Sequence, residues 1–165
     1  MKAKSLMMND FDNHPISKEI SQGAEGVNLS KTLGGYGNLF SFIGFGRGST
    51  PVVAVRNMLI QYPKISSRRA SGSKFIFDIS IPTLNDFSAV SKMPWEGGRS
   101  WVTSVESNIS GFSRYMYDTF GDGAKSRSGK AIQVDRQIRA ESYRPMPYMS
   151  EIIKRLVINI TAGIK

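Results

Sequence analysis

Few side chains in this chain belong to the types that do covalent chemistry. There is one histidine, His14, and no cysteine. That excludes a disulfide framework, thiol catalysis and a thiolate metal site, and one imidazole does not build a zinc centre. A Ser–His pair would require His14, in a polar N-terminal stretch, to reach a serine elsewhere, so the preferred reading is a surface histidine. The carboxylates Asp78, Asp86, Glu96, Glu106, Asp118, Asp135 and Glu141 are scattered without a paired-acid signature. A metal-dependent nuclease drawing acids from separate elements is the one enzymatic reading left open. Asp118 and Asp122 lie among glycines, but the alternating ligands and terminal Glu of a calcium-binding EF-hand loop are missing.

A glycine loop is the other feature with chemical potential. Gly44, Gly46 and Gly48 alternate before Ser49-Thr50-Pro51. Backbone N–H groups at such a helix start can cradle phosphate. No Lys precedes Ser49-Thr50, so this is not a Walker loop, and the spacing is not that of a dinucleotide fingerprint. A flexible turn into a capped helix accounts for the same residues. No cofactor is expected.

Charge is the stronger signal. Lys and Arg number 22 against 13 Asp and Glu, a formal +9, which points to an acidic partner: nucleic acid, an anionic surface or an acidic protein face. The excess is concentrated in two serine- and glycine-rich stretches. Lys64, Arg68 and Arg69, with Lys74 nearby, form the first, an expected loop over 64–73; Lys125, Arg127 and Lys130 form the second, an expected exposed loop. Each reads either as a solvated tip or as a contact to phosphate or to an acidic neighbour. No helix-turn-helix, RNA-recognition or zinc motif accompanies them. No apolar run approaches the roughly 18 residues of a membrane span. The first residues carry two lysines without the apolar segment of a secretory signal, and the lack of cysteine suits a reducing cytosol.

The elements that must position these residues follow from periodicity. Residues 1–35 are polar with scattered glycines and read as a long irregular arm, ordered against a neighbouring subunit if at all. The cluster Leu39, Phe40, Phe42, Ile43 and Phe45 reads as a short strand or an irregular docking segment. Ser49 or Thr50 before Pro51 starts a helix over 51–62, with Val52, Val55, Met58 and Leu59 on one side; a strand stays possible because of its β-branched run. Residues 74–81 are the clearest strand, Phe75, Phe77, Ile79 and Ile81 alternating with Ile76, Asp78 and Ser80. A short helical turn follows around Leu84–Val90. From Ser100 a central amphipathic helix of about five turns runs to Tyr117, with Gly111 as its weak point. Trp101, Phe112 and Tyr115 lie on its apolar stripe, and with Trp95 they are the expected core or interface anchors. Residues 131–140 alternate as a strand that could pair antiparallel with 74–81, and Arg136 on its apolar side marks a possible interface. The segment from Met149 forms a last amphipathic helix, with Ile152, Ile153, Leu156, Val157 and Ile160 on one face. The fold class expected is α+β: a small antiparallel sheet packed by the long central helix and the C-terminal helix. It forms one domain over 36–165, preceded by the arm.

Several of these segments in this order resemble small virion proteins of tailed bacteriophages, those of the neck, head–tail joining and tail-completion group. The resemblance rests on Phe40-Ser41-Phe42-Ile43-Gly44-Phe45 followed by Pro51, and on Pro94-Trp95-Glu96-Gly97-Gly98-Arg99-Ser100-Trp101 opening the central helix. Ile109-Ser110-Gly111-Phe112, Ser126-Arg127-Ser128-Gly129 before Ala131-Ile132-Gln133, and the Pro145–Tyr148 entry to the last helix extend it. It spans roughly residues 38–160 and leaves the arm unmatched. It implies a non-enzymatic structural subunit, made in the host cytoplasm and placed in the virion at the neck or the tail end nearest the head. Such a subunit joins a homo-oligomeric ring of six or twelve copies, contacts portal, neck or tail proteins, is placed where it can contact packaged DNA, and meets no membrane. The two basic stretches would face neighbours or DNA. A stand-alone basic nucleic-acid-binding protein is the alternative.

Overall fold

A computed structural model describes residues 2–33, 38–94, 98–107, 115–117, 131–133 and 143–163. Its centre is aromatic and is assembled from distant parts of the chain. Tyr148 is fully buried, with the ring of Phe11 6.1 Å away and that of Trp101 6.2 Å away. Phe45 meets Trp101 edge-on at 5.9 Å, and Phe40 lies 5.4 Å from Phe45. Offset and edge-on pairs of this kind add to the burial of large apolar surfaces. The Tyr148 hydroxyl shares a 2.7 Å hydrogen bond with Ser17 Oγ, so its polar end is satisfied inside the core.

The first residues are therefore not an irregular arm. Helices α1 (Lys2–Asn13) and α2 (Pro15–Ser21) occupy them. Met7 and Phe11 are four residues apart, as are Ile16 and Ile20, and all four are buried. Each pair makes a stripe only two positions long, broken by Pro15, which hides the helical period in a polar composition. His14 caps α2: its backbone is extended, Pro15 stands at the first helical position, and its Nδ1 accepts from the Ile16 N–H at 3.3 Å. Glu19, fully buried, accepts from the Ser30 N–H through Oε2 and from the Leu39 N–H through Oε1, each at 2.7 Å. That carboxylate ties the connection after α2 back to the body.

The cluster read as a strand or docking segment is instead helix α3 (Leu39–Ile43). Asn38 caps it, its side-chain oxygen accepting from the Ser41 N–H at 2.9 Å, while its amide donates to the Gly23 and Gly26 carbonyls at 2.9 and 2.6 Å. Gly44 ends it at φ 88°, a left-handed cap that suits glycine. Helix α4 (Pro51–Leu59) begins with Pro51 as expected and buries Val52, Val55, Met58 and Leu59. Helix α5 (Leu84–Ser88) opens on a capping box, Thr83 and Asp86 bonding each other's backbone.

Helix α6 (Trp101–Ser107) starts where the central helix was expected. It does not run on to Tyr117, because Tyr115–Tyr117 is a strand paired antiparallel with Ala131–Gln133. Alternating tyrosines favour a pleated strand over one more helical turn. That pairing also corrects the expected partnership of 131–140 with 74–81. Helix α7 (Met149–Ala162) closes the body against α1, burying Met149, Ile152 and Leu156. Ile153 and Ile160 are partly buried and pack against the core, whereas Val157 is exposed. Glu106 of α6 holds the start of α7, its Oε1 accepting from the Tyr148 and Ser150 N–H groups at 3.0 and 2.8 Å.

Outside this helical body stands a β-hairpin, β1 (Lys64–Ser71) and β2 (Lys74–Ser80). The class is α+β, with a small antiparallel sheet and a C-terminal helix, as expected. The sheet's strands, however, are exposed along almost their whole length instead of lying under a helix.

Candidate interaction surface

The hairpin is the candidate site, and its register decides which residues share a face. Ser71 pairs with Lys74 across a turn of Gly72 and Ser73, and Gly72 supplies the positive φ (59°) that a two-residue hairpin turn requires. Arg68 then pairs with Phe77, Arg69 with Ile76, Ala70 with Phe75, and Ser67 with Asp78. A bulge at Ser66 restores Ile65 opposite Ile79. Side chains alternate along a strand and directly paired residues share a face.

One face therefore carries Ile65, Arg68, Ala70, Phe75, Phe77 and Ile79. It is apolar and open to water: Phe75 is 61% exposed, Ile65 50% and Phe77 44%. The Arg68 guanidinium lies over both rings, 4.9 Å from the Phe75 centroid and 5.8 Å from that of Phe77. Such a stacked cation shields the rings while the face is free.

The opposite face carries Lys64, Ser67, Arg69, Ser71, Lys74, Ile76, Asp78 and Ser80. Asp78 is its only carboxylate; it accepts from Ser67 Oγ and lies 3.9 Å from Arg69, a loose and largely solvated pair. Lys64 has its ammonium 5.1 Å from the Tyr62 ring.

At its root the apolar face runs into a groove of about 560 Å³, where Pro63, Ile65 and Ile79 meet Ala3 and Leu6 of α1 and Ile160 and Ala162 of α7. Lys4 anchors this end of α1 by donating to the Ile60 carbonyl. Hairpin and groove thus form one continuous apolar surface.

Of the residues singled out from sequence, Lys64, Arg68, Arg69 and Lys74 all fall on this hairpin and are all exposed. The stretch expected to be a loop over 64–73 is mostly strand β1. Trp101 is fully buried. Trp95, Phe112, Lys125, Arg127 and Lys130 lie outside the described residues, as do Asp118, Asp122, Asp135 and Arg136. Tyr115 is in the short ribbon with 131–133.

His14 is half-buried rather than a surface residue, its ring 4.8 Å from that of Tyr148. Burial holds its pKa below the ordinary histidine value. Arg155 acts in the same direction; Glu151, the Pro147 carbonyl and Glu106 oppose it. Burial likewise pushes the Tyr143 and Tyr148 hydroxyls well above the usual tyrosine range. These groups are positioned for packing and capping. The glycine loop before Pro51 ends on Thr50, whose side chain makes no capping bond. Among the described residues no three His, Asp or Glu side chains come together to hold a metal, and no helix is long and apolar enough to cross a membrane.

Sequence reasoning missed the exposure of Phe75 and Phe77. The available signal was the partner strand: KISSRRAS offers only Ile65 and Ala70 as apolar residues, too little to cover a neighbour. No known protein family, curated protein or solved structure matches the chain.

Proposed function

We propose that this protein is a non-enzymatic assembly subunit that attaches to a neighbouring subunit through the apolar face of its hairpin. The observation that carries this reading is the exposure of Phe75, Phe77 and Ile65 on a ribbon that the described helices leave uncovered. The resemblance to neck and tail-completion proteins of tailed phages supplies the setting. The subunit sits in a closed ring of six or twelve copies at the virion neck or the tail end nearest the head. There it touches portal, neck or tail proteins.

Magnitudes limit how this attachment works. Fully burying a large apolar side chain is worth ~1.5–3 kcal/mol, so covering three half-exposed ones supplies roughly 2–5 kcal/mol. Association of two free proteins costs about 4–15 kcal/mol. The hairpin face alone does not hold two subunits together; its contact extends into the groove beside Leu6 and Ile160. A contact in which hairpin and receiving surface differ is heterologous, and it closes a ring when its rotation returns on itself and an open filament when it does not.

The test is the oligomeric state of the purified full-length chain by native mass spectrometry and electron microscopy, with and without the double substitution Phe75→Ser, Phe77→Ser. Rings or ring-size oligomers from the native chain and folded monomers from the variant are expected. Monomers from both, with no incorporation of the native chain into particles, would sink the reading. The second reading, a stand-alone nucleic-acid-binding protein, is favoured by the +9 charge; tight duplex binding by a chain that never oligomerises would promote it.

A further inference from the structure

We infer that the hairpin's second face, opposite the apolar one, takes the phosphodiester backbone of double-stranded DNA. The cations Lys64, Arg69 and Lys74 are spread along this face from root to tip, with the hydroxyls of Ser67 and Ser71 between them. At about 3.4 Å per strand residue the row from Lys64 to Ser71 is roughly 24 Å long. A polyanion with one charge per about 1.7 Å of axis neutralises such a row without any side-chain register. An acidic protein face must instead place each carboxylate opposite its cation.

The charge balance of this face supports the assignment. On this face the only carboxylate is Asp78, at 3.9 Å from Arg69, and among the described residues neither Lys64 nor Lys74 has one in ion-pair range. Lysine, arginine and serine side chains are the usual contacts to phosphate and sugar, which position a protein without reading sequence. No base-reading group is placed here, so the binding is sequence-independent. The two faces of one ribbon then have separate partners, protein on one side and nucleic acid on the other. The inference does not depend on ring formation, because it concerns the face that attachment leaves uncovered.

The experiment measures binding of the full chain to a short DNA duplex of mixed sequence and, in parallel, to polyglutamate of equal charge, across about 50–200 mM salt, where each phosphate contact contributes about −0.9 to the slope of log K against log salt. The triple substitution Lys64→Ser, Arg69→Ser, Lys74→Ser should reduce the magnitude of that slope by about 2.7. All three positions are exposed, and circular dichroism checks that the fold is kept. The apolar-face variant Phe75→Ser, Phe77→Ser should bind duplex with an unchanged slope even where it no longer assembles. The inference is overturned by any of four results: no duplex binding at the lowest salt, a slope the triple variant does not change, equal loss in the apolar-face variant, or polyglutamate binding as tight and as salt-dependent as duplex.

Discussion

Phenylalanine behaves in two ways in this molecule. In the helical body Phe11, Phe40 and Phe87 are shut away from water; on the hairpin Phe75 and Phe77 stand in it. Arginine divides along the same line. Arg56 on α4 holds Asp12 of α1 with two bonds of 2.8 and 2.9 Å, a bidentate clasp between helices. Arg68 on the hairpin lies instead over its own aromatic neighbours. The residue types are the same, so composition does not set their task. The difference is the element: a helix with one apolar stripe finds a partner within the chain, whereas the two-stranded ribbon bears Phe75 and Phe77 on a face that the described helices leave exposed. On the proposed reading the body holds the molecule together, and the apolar face of the hairpin is left for a partner.

The comparison breaks most sharply at Trp101. It is fully buried between Phe45 and Tyr148, and Trp101→Ala should lower stability by ~3–5 kcal/mol, the usual cost of removing a large core aromatic. Chemical denaturation reads this directly. A loss below ~1 kcal/mol would mean that the body is not organised around this ring. Glu19→Gln tests the polar part of the same body. The carboxylate accepts two backbone N–H bonds in full burial. A glutamine keeps one acceptor and turns a donor toward the other N–H, at a cost of ~1–3 kcal/mol. If Glu19→Gln unfolds at the native denaturant midpoint, the tie between α2 and α3 contributes little.

These two positions also show what could be read from sequence. Trp101 was legible because an aromatic at the head of a periodic stripe is almost always core. α4, β2 and the C-terminal helix were legible for local reasons, their period and Pro51 at the first helical position, and α5 was legible as a short helical turn, its Thr83–Asp86 capping box passing unread. The tasks of Glu19 and Glu106 and the amide contacts of Asn38 were not, since those partners lie 11 to 44 residues away. The helical N-terminus was missed because its apolar pairs are filled out by distant elements, Met7–Phe11 on α1 by Tyr148 and α7, and Ile16–Ile20 on α2 by α3 and α4. Half of the hairpin was legible: β2 alternates plainly, but β1 is a serine-rich basic run whose strand character comes from pairing with β2 across Gly72-Ser73. The site's cations were found by charge alone, and their division between two faces emerged only with the register.

His14 gives a smaller effect, with a sign fixed by its surroundings. The fold favours the neutral ring, through burial and through the Ile16 N–H that Nδ1 accepts. The folded pKa therefore lies below the unfolded value of about 6.5. The unfolded chain binds the extra proton first, so stability is full above that pH and declines as pH falls through 6.5 toward the folded value. His14→Asn retains a capping side chain without the titration. Its stability should be flat where the native chain declines, in denaturation midpoints measured from neutral pH into the acid range above the carboxylates. Parallel curves for the two proteins would assign the decline to another group.

The smallest effect on stability belongs to the hairpin, and it is the most informative about the contrast between the two regions. Phe75→Ala removes a ring that is 61% exposed and packs mainly under Arg68. In the free protein such a surface change should cost no more than ~0.5 kcal/mol. Phe77→Ala, at 44% exposed, should cost slightly more because Arg68 also covers its ring. Both substitutions should nevertheless weaken assembly in the native mass spectra. A cost of ~2 kcal/mol or more in the isolated protein would show that Phe75 is structural and that the hairpin belongs to the body after all. Near-neutral stability with lost assembly is the combination that only an attachment surface produces, since a side chain that neither supports its own fold nor touches a partner would leave both readings unchanged.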